Sequence, residues 1–123
     1  MIDRRVVSIV DDDESVRQAI DGLLRSAGLP AVAFASAEEF LRSGQLRSTA
    51  CLIVDLQMPG MDGLQLQERL SRDGHRIPTV ILTAQGDHES RGRLLGAGAA
   101  AFLQKPIKGD VLLSVVESLL GKP

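Results

Sequence analysis

Three aspartates, Asp11, Asp12 and Asp13, stand in a row directly behind the apolar run Val6-Val7-Ser8-Ile9-Val10. Two unit charges about 4 Å apart repel by about 4 kcal/mol at an effective dielectric near 20, so packed carboxylates need either full solvation or a cation. Further along, Asp55 closes one apolar run, Thr83 and Ala84 follow another, and Lys105 lies just beyond a third. Acids, a hydroxyl and an amine placed this way have the composition of a site for a hard cation and a phosphate. Asp13 has a local use as the N-cap or first-turn acid of the next helix, with Glu14 beside it. Asp11 and Asp12 have no such duty, because one cap is enough. They read as ligands for Mg²⁺, which keeps several waters and takes one or two carboxylates. Singly, Asp55 could be a turn residue, Thr83 an ordinary strand residue and Lys105 a surface lysine lying over apolar neighbours. Their joint placement is what those separate readings explain poorly.

The elements that must carry these groups are legible from periodicity. Short β-branched runs alternate with amphipathic segments, and the period switches five times along the chain. Residues 6–10 read as a strand, and Val16, Ala19, Ile20, Leu23, Leu24 and Ala27 draw one stripe along a helix closed by Gly28 and Pro30. Residues 31–34 form a second strand, followed by the capping box Ser36-Ala37-Glu38-Glu39 and a short helix burying Ala37, Phe40 and Leu41. The third run, 50–54, is apolar throughout, as in a strand covered on both faces. Its loop, Met58-Pro59-Gly60-Met61-Asp62-Gly63, carries two turn signals before a helix over 64–72. A strand over 79–82 precedes a glycine-interrupted helix over 87–95, and a strand over 100–103 precedes Lys105-Pro106 and a helix over 110–120. Five βα units predict a parallel sheet with right-handed crossovers, hence a three-layer α/β sandwich. Ligands of such open sheets bind beyond the carboxyl ends of the strands. The polar groups above fall there, with the second strand contributing none.

With those positions fixed, the segments IVDDD, VDLQMPGMDG, ILTA and FLQKP come in the order and spacing of a known family. The chain resembles a response-regulator receiver domain (CheY-like) over essentially its full length, and is most similar to the FixJ type, whose first strand also ends in three Asp. The resemblance implies a single receiver domain over residues 1–123 with a flavodoxin-like sheet of order 2-1-3-4-5. It implies that Asp55 accepts a phosphoryl group from a sensor histidine kinase. Asp12, Asp55 and the main-chain carbonyl of Gln57 would hold Mg²⁺, with Asp11 helping through water. Lys105 and Thr83 would bind phosphoryl oxygens, with Ala84 beside them. Such a domain is not an enzyme in the ordinary sense, although it assists its own phosphorylation and slow dephosphorylation. The switch would run through Thr83 moving toward the phosphoryl group and Phe102 turning inward. Phe102 lacks the hydroxyl that many receivers carry at this place, so inward burial can dominate even before phosphorylation. An output DNA-binding domain and a cytoplasmic location are further expectations.

Other features bound the function. A net charge of −2 and three Phe without Tyr or Trp give no field or stacking surface for a nucleic acid. The one cysteine, Cys51, lies in an apolar stretch and reads as a small hydrophobe. No apolar run approaches the ~18 residues of a membrane span, and MIDRRVV has no signal-peptide core. His75 and His88 have no companion ligands nearby in sequence. Gln57 and Gln85 flank the site, where they could tune access of water. Gly86, Gly92, Gly96 and Gly98 crowd the fourth helix, which should be short and weakly held, as a switch element requires. On the last helix the apolar arc is wider than one sheet face needs, and Leu113 and Leu120 at its edge are candidates for a partner or homodimer contact. The nearest rival is a haloacid-dehalogenase-like phosphohydrolase with an Asp nucleophile. It needs a second acid two residues on, where this chain has Gln57.

Overall fold

The computed structural model describes residues 6–84 and 91–121. Its strands are Val6–Val10 (β1), Ala31–Phe34 (β2), Thr49–Asp55 (β3), Thr79–Thr83 (β4) and Ala101–Gln104 (β5). Its helices are Glu14–Ser26 (α1), Ala37–Arg42 (α2), Gly63–Arg72 (α3), Arg91–Gly96 (α4) and Gly109–Leu119 (α5). The strands pair in parallel in the order β2-β1-β3-β4-β5, so the expected three-layer architecture and strand order are both present.

The unbroken apolar run of β3 is explained by its central place. Successive side chains point to opposite faces. Leu52 and Val54 enter a core with Phe40 of α2, Leu66 and Leu70 of α3 and Leu94 of α4. Cys51 and Ile53 enter the other core, with Ile20 and Leu24 of α1 and Leu112 and Val116 of α5. Cys51 is fully buried, and desolvation pushes its thiol up to about 12, which makes it the inert small hydrophobe its context implied. On the same sheet the buried Ser8 and Thr49 hydroxyls pair at 2.7 Å, and Thr49 Oγ1 donates to the Gln45 carbonyl at 2.6 Å. Neither of these two hydroxyls is left unsatisfied.

Local chemistry sets the element ends. Asp13 caps α1, its Oδ1 accepting from the amides of Ser15 and Val16 and from the Ser15 hydroxyl. Gly28, at φ +79°, lets the chain leave that helix. Ser36 accepts from the Glu39 amide, one arm of the expected box, while both arms of a capping box are made at α3 by Asp62 and Gln65. β3 runs one residue further than expected at each end, so Asp55 is its last residue rather than the residue after it. The part of the fourth helix expected over 87–90, and with it Gly86, Gln85 and His88, lies outside the described residues.

Two apolar expectations shift. Ala19, expected in the buried stripe of α1, is exposed, because the helix turns Ile20 and Leu24 to the sheet. On α5, Leu113 and Leu120 are half-buried against the second core, and the uncovered position is Val111, 40% exposed. At the β2 border of the sheet, Arg25 Nη2 donates to the Ala31 carbonyl at 2.6 Å while its Nε bridges both Asp21 oxygens at 3.0 and 3.1 Å.

Candidate functional site

A parallel sheet delivers the carboxyl ends of all its strands to one rim, and the expected polar groups meet there. Asp55 ends β3, Asp11 and Asp12 follow β1, Thr83 ends β4, and Lys105 follows β5. Oxygens of Asp11, Asp12 and Asp55 lie within 4.8 Å of one another. Asp11 and Asp55 are buried while Asp12 is exposed, so the cluster has a protein side and a solvent side. Lys105 Nζ donates to Asp55 Oδ2 at 3.1 Å and to Asp11 Oδ2 at 3.2 Å. Asp11 Oδ1 accepts from the Asp13 amide at 2.9 Å, so both of its oxygens are engaged. Asp55 Oδ1 accepts from the Gln57 amide at 3.3 Å.

The electrostatics follow from this crowding. Burial pushes the Asp55 carboxyl above the usual carboxylate range, the Lys105 hydrogen bond pulls it down, and the Asp11 charge adds to the upward push. For Lys105, burial disfavours the ammonium, but hydrogen bonds to Asp55 and Asp11 more than offset this and hold it charged above the usual lysine value. Asp13 is a different case. Its carboxyl is held low by the Ser15 hydroxyl and the α1 amides, which matches its assignment as a helix cap rather than a ligand. One lysine shared between two buried acids leaves the rim short of positive charge. A donor set of three carboxylates with one open side fits a hard divalent cation that retains water.

The other expected residues fall around this core. Thr83 is buried, and its carbonyl accepts from the Lys105 amide at 2.7 Å, fixing the loop that bears the lysine. Ala84 and Gln57 are exposed at the rim. Phe102 is half-buried and already packs against the core under α2, α3 and α4. Leu113 and Leu120 are not part of this rim.

Two positioning groups escaped sequence reasoning. Arg17 Nη1 donates to the Asp11 carbonyl at 2.8 Å, holding the acidic loop from one turn into α1. Gly63 sits so close to β3 that a β-carbon there would lie 2.7 Å from the Asp55 carbonyl oxygen and 2.9 Å from Leu56 Cα. The Asp62-Gly63 pair signalled a turn, but nothing in the sequence indicated that this glycine is needed for space.

Fold and rim together are those of a phosphoryl-accepting signalling module, and the comparisons with known proteins agree. The family model described as response regulator receiver domain matches residues 7–117, and the chain belongs to that family, which acts in two-component systems. Nodulation protein W of Bradyrhizobium diazoefficiens is 40% identical over 113 residues, covering 92% of this chain and 50% of that protein. Among solved structures, the response regulator StyR is 42% identical with a TM-score of 0.88, over 94% of this chain and 59% of that one. FixJ-N is 31% identical with a TM-score of 0.84, over 100% of this chain and 98% of that one. The resemblance to the FixJ type therefore holds, and the dehalogenase-like alternative finds no support. The chain spans about half the length of the curated relatives it matches. Among the described residues no helix is long and apolar enough to cross a membrane.

Proposed function

We propose that Asp55 is the phosphoacceptor of this receiver domain. The single observation that carries this is the placement of Asp55, last in β3, with one oxygen on Lys105 and within 4.8 Å of oxygens from Asp11 and Asp12. In the transfer, a carboxylate oxygen of Asp55 attacks phosphorus of a phosphohistidine on a sensor histidine kinase. The P–N bond breaks and its electron pair stays on the imidazole nitrogen. Such transfers depend on positioning and charge neutralisation more than on new covalent partners. Asp12, Asp55 and the Gln57 carbonyl would hold Mg²⁺, with Asp11 assisting through water, and the ion would supply charge neutralisation that one lysine does not. Lys105 exchanges its contact with the Asp55 carboxylate for a phosphoryl oxygen, and the Thr83 hydroxyl donates to another, with Ala84 at the same edge. In this reading the domain assists its own phosphorylation and slow dephosphorylation.

The output follows from movement of Thr83 toward the phosphoryl group, with Phe102 sinking further into the core it already touches. The domain occupies residues 1–123, works in the cytoplasm, and controls an output domain of the DNA-binding kind or a partner protein. It does not bind nucleic acid itself. A homodimer contact through Leu113 and Leu120 would have to draw on their exposed halves. Intact mass after incubation with acetyl phosphate and Mg²⁺ tests the assignment. The wild type should gain one phosphoryl mass and Asp55→Asn none; a gain in both, or in neither, would contradict it.

A further inference from the structure

The chain between Asp55 and α3 must turn back over the rim, and its two ends are pinned by backbone groups. The Leu56 amide donates to the Leu82 carbonyl at 2.9 Å, and the Gly63 amide donates to the Leu56 carbonyl at 3.0 Å. The crest between them is held from another layer. The Met61 amide donates to Glu38 Oε2 at 3.0 Å, across 23 residues of sequence, from a carboxylate in the first turn of α2. Next to it Gly60 adopts φ +73°, and a β-carbon on that residue would lie 2.8 Å from the same Glu38 oxygen. The carboxylate lies in the space that a side chain at residue 60 would share. The Met61 amide also holds the Glu38 carboxyl below the usual glutamate range, so the acceptor is ionised at neutral pH.

We infer that Glu38 is a positioning residue for the phosphoacceptor site: by gripping the crest it sets the loop that presents Gln57. This rests on the reading of the Gln57 carbonyl as a Mg²⁺ ligand. Glu38 touches neither the ion nor the phosphoryl group. A carboxylate on a backbone amide is a charge-assisted hydrogen bond, stronger than a neutral one. Groups that orient metal ligands from outside commonly change metal affinity by about tenfold or more when removed.

The test is Mg²⁺ titration of the full chain by calorimetry, with thermal unfolding as the check on folding. Glu38→Ala should weaken Mg²⁺ binding about tenfold while phosphorylation by acetyl phosphate at saturating Mg²⁺ stays near wild type. Glu38→Gln keeps an acceptor oxygen and should restore most of the affinity. Gly60→Ala crowds the carboxylate and also strains the left-handed backbone at the crest, so it should lose at least as much affinity as Glu38→Ala. If Glu38→Ala fails to fold, Glu38→Asp, whose carboxylate stops one methylene short of the Met61 amide, carries the same comparison. Wild-type affinity in folded Glu38→Ala, or no rescue by Glu38→Gln, overturns the inference. A wild-type protein that binds no Mg²⁺ instead overturns the reading of the acidic rim on which it rests.

Discussion

Asp55 is held at a disadvantage when no divalent ion is bound. Burial and the Asp11 charge raise its carboxyl by more than the Lys105 hydrogen bond lowers it. A carboxyl raised in the folded state favours folding less once it ionises, so stability is lost as pH rises from the ordinary carboxylate value through the folded one. Asp55→Asn should therefore be more stable than wild type at pH 7 in chelator. That advantage should vanish as pH falls into the ordinary carboxylate range, which urea unfolding between pH 4 and 7 would read. With Mg²⁺ at a hundredfold over its Kd, wild type should gain about 2.7 kcal/mol and Asp55→Asn far less. Lys105 contributes in the opposite window. Its ammonium is held above the usual value, so its contribution is complete below the ordinary lysine pKa and fades only as pH rises through the folded one.

Elements fix that residue in space, and α3 does so through contact with no slack. Gly63 has no positive φ, so it is needed for closeness rather than for conformation. The atoms its β-carbon would meet belong to the backbone of Asp55 and Leu56 and cannot rotate away. Gly63→Ala should cost about 1–3 kcal/mol, the usual range for overpacking, and should shift the amide resonances of residues 55–57. Unfolding curves together with those resonances check it; an unchanged Asp55 environment would mean that the helix simply slides outward. At α5 the apolar arc is as wide as its period implied, with Leu113 and Leu120 half-buried at one edge. Packing buries Leu112 and Val116, near the middle of that arc, and leaves Val111 at its other edge uncovered.

At the scale of the whole molecule, the sheet was legible because an apolar run followed by an amphipathic segment repeats five times, and the rim because a site residue stands at the end of four of those runs. Asp11, Asp12, Asp55, Thr83 and Lys105 could be assembled from sequence because parallel strands put their ends together whatever the loops do. Glu38, Arg17 and Gly63 could not. Their partners are backbone atoms brought near only by packing, and a backbone atom leaves no mark on residue type. The Arg25 contact belongs to the same hidden class. Its ion pair with Asp21 is exposed and contributes at most about 1 kcal/mol, while its other arm covers the Ala31 carbonyl on the outer border of β2. Unpaired acceptors on a border strand invite another chain to pair there. Arg25→Ala should thus increase light scattering as concentration rises by more than its loss of melting temperature accounts for. On that expectation the guanidinium would work as a shutter against templated growth, a benefit carried by the population of molecules rather than by any one of them.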